Sequence, residues 1–239
     1  MRTALIRFHG CLADFLPPTR RDSRFALSFE LPSGLRDLVQ STGVPHVEVE
    51  RVMVDGEPSG WRRVIHGDEM IDVYPRYPLD QAPADARFVL DVHLGRLARN
   101  LRLLGFDAHQ DPSADDPDLV VESQSDGRTL LTRDRGLLMR GDLTNATYIR
   151  ATEPVVQTVE TIARFRVGGS LNPFTRCLVC NAVLIEEDPT HPDIPPAVRS
   201  GHDRFRRCPG CGRVYWEGSH VERLRNLVAE IEDRVAGLP

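Results

Sequence analysis

The stretch "RFVLDVHLGRLARNLRLLGFD", residues 87–107, decides the fold. An apolar run, Phe88 to Leu90, stops at an acid, Asp91, and a helical pattern follows at once. Leu94, Leu97, Ala98, Leu101 and Leu104 fall on one helical face, and Arg96, Arg99 and Arg102 on another flank. Gly105 closes the helix. A buried strand followed directly by an amphipathic helix is one half of a βαβ unit.

The pattern continues outward from there. "FDAHQD" reads as a short strand, and "DDPDLVVESQSDG" as a helix with acids at its start, where the macrodipole favours them. "RTLLTRD" is a second buried strand ending in an acid, Asp134. "RGLLMRGDL" is a short helix, "ATYIRA" a further strand, and "PVVQTVETIARF" a helix with Pro154 in its first turn. Alternation at this spacing predicts a mainly parallel α/β sheet over residues 87–167.

Residues 1–79 carry a different texture. Strands over "TALIRFHG" and "RFALSFELP" precede a helix in "SGLRDLVQSTGVP", with Ser33 before it and Gly43 after it. "VERVMVDGEP" ends in an Asp-Gly turn, and "GDEMIDVYPRY" is the last strand. That order fits a ubiquitin-like β-grasp domain of the α+β class. Residues 80–86, rich in Pro and Ala, read as a linker. Residues 168–239 begin as a Gly-rich linker, carry four cysteines and end in the helix "SHVERLRNLVAEIEDRVAGL".

The cysteines give the sharpest chemical signal. Cys177 and Cys180, then Cys208 and Cys211, form two Cys-x-x-Cys knuckles, which together complete a tetrahedron around one Zn²⁺. Four thiolates close the site, so the metal is expected to be structural. His191, His202 and His220 are left no place in it.

Composition narrows the classes. The chain has 239 residues, a net charge of −5, 41% hydrophobic and 27% charged residues. This is ordinary for a soluble protein and argues against a generic basic polyanion binder. No run approaches a membrane span and the N-terminus lacks a signal-peptide pattern, so a cytoplasmic protein with no membrane partner is expected. Every one of the 30 cations is arginine, which rules out Schiff-base or P-loop lysine chemistry. Any phosphate contact by a cation must come from guanidinium.

Asp91 and Asp134 end buried strands, and Asp115, Asp116 and Asp118 open a helix. In parallel sheets these positions share the carboxyl edge, where ligands bind. Convergent carboxylates repel unless a cation joins them, and oxygen donors suit Mg²⁺ or Mn²⁺. Such a centre polarises a phosphodiester and generates hydroxide for attack. Arg96, Arg99, Arg133 and Arg135 are candidate backbone contacts, and Tyr215, Trp216 and His220 form a stacking and hydrogen-bonding cluster. The competing reading for each acid is a turn or cap residue, and for each arginine a solvated face.

"FVLDVHLGRLARNLRLLGFD", "DDPDLVVES", "GRTLLTRDRGLL", "TRCLVCN" and "RCPGCGRVYWEGSH" together resemble the Mut7-C RNase family, a PIN-like domain with a C-terminal zinc ribbon. The N-terminal unit resembles the ubiquitin-like domain that often precedes it. The resemblance implies a metal-dependent ribonuclease acting on RNA, with structured RNA such as tRNA as a candidate substrate. The zinc ribbon and the β-grasp domain are expected to aid RNA binding. It selects Asp91, Asp116 and Asp134 as catalytic, metal-holding acids. For the further acid of the PIN pattern, Asp107 and Asp111 are the candidates, and Asn100 stands where the family often has tryptophan. The alternatives are a non-catalytic RNA-binding adaptor on the same fold, or a toxin-like nuclease. The N-terminal unit also resembles small sulfur carriers, but continues through "YPRYPLD" rather than ending in Gly-Gly, which argues against that chemistry.

Overall fold

The computed structural model describes residues 1–239 except Asp22, Pro195, Asp203, Leu238 and Pro239, and except the side chains of Ser219 and His220. Along the chain the first elements are β1 (Arg2–Phe8), β2 (Phe25–Phe29), β3 (Ser33–Gly34), α1 (Leu35–Ser41), β4 (Val49–Val54), β5 (Glu57–Ser59), β6 (Val64–Ile65) and β7 (Met70–Pro75). Then come β8 (Arg87–Leu90), α2 (Gly95–Leu103), β9 (Asp107–His109), α3 (Asp116–Ser125), β10 (Thr129–Thr132), α4 (Arg135–Leu138), β11 (Ala146–Tyr148) and α5 (Pro154–Phe165). The chain finishes with β12 (Ile185–Glu187), α6 (Pro196–Arg199), β13 (Phe205–Arg207), β14 (Val214–Trp216) and α7 (Ser219–Ala236).

These elements form two compact units. The first comprises Met1–Asp80 with Thr132–Tyr148, and the second Gln81–Leu131 with Ile149–Pro239. The inclusion of 132–148 in the first unit is not what strand–helix alternation alone leads one to expect.

In the first unit the sheet order is β2-β1-β7-β4-β5. β1 is antiparallel to β2 and parallel to β7, the mixed pairing of a ubiquitin-like fold. Ala4, Ile6 and Phe8 alternate into the core, as a strand with one covered face requires. They meet Leu35, Leu38 and Val39 of α1. The Asp55-Gly56 turn joins β4 to β5 with both residues at positive φ, which suits the twist of a tight hairpin. Ser33 does not cap α1. The N-cap is Gly34, because Ser33 is drawn into pairing with Ile65.

In the second unit β8 lies between β9 and β10 and is parallel to both. Phe88, Val89 and Leu90 are buried, which explains the unbroken apolar run. Phe88 meets Phe106 and Phe165 edge-on, with centroids 6.2 and 5.1 Å away. α2 packs on α5 and β9, α3 on β8, and α7 on α5. Asn100 is buried and donates to Thr158 Oγ1 at 3.1 Å, so a polar contact with α5 occupies that position. The cysteine-bearing segment adds an antiparallel sheet, β12-β13-β14. Among the described residues no helix is long and apolar enough to cross a membrane.

Candidate metal centre and acidic edge

The four cysteine Sγ atoms lie within 4.8 Å of one another. Cys180 and Cys208 are 3.2 Å apart, and Cys177 and Cys211 3.6 Å. A tetrahedral Zn²⁺ with bonds of about 2.3 Å sets its sulfurs roughly 3.8 Å apart, so the cluster has the size that zinc needs. The knuckles supply their own support. Cys180 N donates to Cys177 Sγ, and Cys211 N to Cys208 Sγ. Gly210 leaves the second knuckle tight, since a Cβ there would sit 3.3 Å from Cys180 Sγ.

The Tyr215 hydroxyl lies 3.1 Å from Cys177 Sγ and accepts from Leu178 N. Burial works to raise the Cys177 thiol, but that hydroxyl and the Cys180 and Val179 amides bring it down to about 6. Burial, with hydrogen bonds to Cys208 and Cys177, pushes Cys180 up to about 12. Crowded thiols ionise unequally because each thiolate opposes the next. A cation in their midst removes that opposition, and the cluster could hold zinc with no position left open.

The α/β body braces the first knuckle. Arg102 is buried; its Nε donates to Ala108 O at 2.7 Å and its Nη1 to Val179 O at 2.8 Å and Leu178 O at 3.3 Å. It is therefore neither a solvated charge nor a phosphate contact. Asn181, at positive φ just past the knuckle, donates to Asp107 Oδ1 and accepts from Ala108 N. Burial alone would raise the Asp107 carboxyl, but hydrogen bonds from Arg128 and Asn181, and the charges of Arg128 and Arg176, hold it below the usual range. Gly105 is required twice. Its φ is +94°, and a Cβ would overlap Asn172 O at 2.2 Å.

Asp107 starts β9, so it lies at the amino edge of the parallel strands, opposite to Asp91. It pairs there with Arg128 and Arg176. Asp111 is exposed and accepts from Ser113 N and Oγ.

Asp91 is 5% exposed and follows β8 at its carboxyl end. It caps the next turn, with Oδ1 accepting from His93 N at 2.9 Å. Asp116 opens α3 after the loop that leaves the carboxyl end of β9, and it is exposed. The cap of α3 is Asp115, in a reciprocal box with Asp118, which leaves Asp116 out of that structural task. Chain direction thus puts Asp91 and Asp116 at the same edge. Asp134 follows β10 by two residues, belongs to the first unit, and caps α4 through Gly136 N at 2.6 Å and Leu137 N at 3.3 Å. Among the described residues, the cysteines are the group of three or more donors gathered closely enough for a metal, and the three acids are not such a group.

The expected RNA contacts divide. Arg96 and Arg99 are exposed on α2. Arg133 is half-buried. Arg135 donates to Phe15 O and Asp14 O, and its guanidinium sits over Phe15 and Tyr148, so its hydrogen bonds go to the β-grasp side. Tyr215 serves the cysteine centre. Trp216 lines a cavity of about 260 Å³ with Leu103, Phe174, Arg206, Leu224 and Arg225. The side chain of His220 lies outside the described residues.

A family model described as Mut7-C RNAse domain matches residues 86–228, and one described as Mut7-C ubiquitin matches residues 1–79. No curated protein and no solved structure matches the chain.

Proposed function

The chain belongs to the Mut7-C RNAse domain family, and from that premise we propose that it is a PIN-like, metal-dependent ribonuclease. The observation that carries the reading is Asp91. A carboxylate is buried at the carboxyl end of the middle of three parallel strands, where ligand sites of such sheets form. Its Oδ1 accepts from His93 N, and a carboxylate oxygen at that edge is a donor of the kind Mg²⁺ or Mn²⁺ takes.

In this reading Asp91, Asp116 and Asp134 hold Mg²⁺ or Mn²⁺. Asp116 is free of the capping task beside it, and Asp134 enters on chain order after β10. When bound, the metal supplies Lewis-acid activation of the phosphodiester and of water. Arg96 and Arg99 hold the RNA backbone, Arg133 stands beside the acid, and Trp216 offers a stacking surface. The cysteine centre carries one structural Zn²⁺. Structured RNA such as tRNA is the substrate class, and the cytoplasm the site of action.

One observation favours a second reading, a non-catalytic RNA-binding adaptor. Asp91 and Asp134 each already perform a helix cap, and the three acids do not form a metal-sized group. Cleavage of labelled RNA with Mn²⁺ separates the two. Product from the wild type, and its loss in Asp91→Asn, supports the ribonuclease. Equal cleavage by both removes Asp91 from the mechanism, and RNA binding without product favours the adaptor.

A further inference from the structure

The segment from Thr132 to Tyr148 starts at the last residue of β10 yet packs within the β-grasp unit. Its backbone is gripped at successive carbonyls. Gln40 Nε2 donates to Met139 O at 3.1 Å, and Arg36 Nη2 to Gly141 O at 2.7 Å. His46 Nε2 lies 2.9 Å from Leu143 O. Arg135 reaches the other way, to the carbonyls of Phe15 and Asp14, under rings of Phe15 and Tyr148 that also touch each other.

The strongest of these holds is Glu48. It is fully buried, and its Oε1 accepts from Thr147 Oγ1 at 2.8 Å and Tyr148 N at 2.6 Å. A carboxylate so placed is expensive, and truncating it leaves its partners unpaired. Asp134 stands at the head of this segment, capping a helix of only four residues. A helix that short does not hold itself together, so its surroundings fix it.

We propose that the β-grasp domain is the positioning platform for Asp134, with Glu48 and Arg135 as the positioning residues that clamp the 132–148 segment. This gives the N-terminal domain a part in the reaction without contact with RNA. The role in catalysis rests on the reading of Asp134 as a metal-holding acid; the clamp itself does not.

The test uses the full-length, zinc-loaded protein in three forms: Glu48→Ala, Glu48→Gln, and the double variant Arg36→Ala/Gln40→Ala. Hydrogen exchange reads the clamp, and Mn²⁺-dependent RNA cleavage reads its consequence. Exchange at Leu138–Arg140 and through β11 should rise in Glu48→Ala and in the double variant, with β1 and β7 still protected. The kcat should fall about 10- to 100-fold, as for loss of a support behind a metal ligand, with KM unchanged. Glu48→Gln keeps an acceptor for Thr147 and Tyr148 and should restore both readouts. Unchanged exchange in the segment overturns the clamp. Raised exchange with unchanged kcat overturns the positioning role. If Glu48→Ala unfolds β1 and β7 as well, the double variant decides by the same criteria. A wild type that cleaves no RNA overturns the ribonuclease reading instead, while exchange still decides the clamp.

Discussion

The cysteine centre and the acidic edge are built on opposite plans. The cysteines are gathered by local chain geometry: two knuckles span four residues each, and backbone amides donate to the Sγ atoms of Cys177 and Cys208. The acids come from separate elements of the chain. Asp91, Asp116 and Asp134 stand at the starts of three separate turns or helices, and two of them have local capping work. Sulfur donors linked through short loops make a site that persists as a unit. Carboxylates brought together from distant elements repel one another, and a bound cation offsets that repulsion. The first arrangement suits a structural metal, and the second suits the exchangeable cation proposed for the acids.

The largest effect should come from breaking the first plan. Cys208→Ser should abolish stoichiometric zinc, measured by elemental analysis, and leave β12–β14 open to proteolysis. Apparent binding energies of structural zinc are on the order of 10–16 kcal/mol. Retention of one zinc per chain with an intact ribbon would contradict a closed four-cysteine site.

Arg102→Met sharpens the contrast by removing the brace without touching a ligand. It leaves the carbonyls of Ala108, Leu178 and Val179 short of a donor. Denaturant unfolding should show a loss of roughly 2–4 kcal/mol, the scale of buried acceptors left unpaired. RNA cleavage at matched folded fraction should be unaffected.

Acidification probes the same brace more gently. The Asp107 carboxyl is held below its ordinary value, so the unfolded chain takes up its proton first. Its contribution is complete above about pH 4, the ordinary carboxylate range, and is lost as pH falls through the lower folded-state value. Denaturant midpoints measured between pH 5 and pH 2.5 should show this loss in the wild type and a flatter profile in Asp107→Asn.

The smallest effect concerns the exposed flank of α2. Arg99→Ala should weaken RNA binding modestly and lower the salt slope by about one counterion, with melting temperature unchanged.

Much of this was legible in the residues because the signals are local. Two Cys-x-x-Cys pairs, the apolar run ending at Asp91, and the Asp-Gly hairpin each depend on neighbours in sequence. What was illegible depends on distant packing. Arg96, Arg99 and Arg102 look alike at spacing three, yet each step of three drifts by about 60° around a helix. By Arg102 the row has turned toward the body, and its side chain is buried. Asp107 looks like one more acid near the edge, but the parallel register places it at the other end of the strands. Nothing local marks residues 132–148 as partners of α1 and Glu48, because those bonds span about a hundred residues.

In the proposed division of labour, the acidic edge takes a divalent cation while the cysteines keep their own. Calorimetric titration of Mn²⁺ into the zinc-loaded protein tests it most directly, against Asp91→Asn. Asparagine remains a good helix cap, so the variant should keep the turn and lose the charge. The expected result is saturable Mn²⁺ binding by the wild type, weakened at least about tenfold in Asp91→Asn, with zinc content and melting temperature the same in both. Equal Mn²⁺ affinity in the two proteins, or none in either, would contradict it.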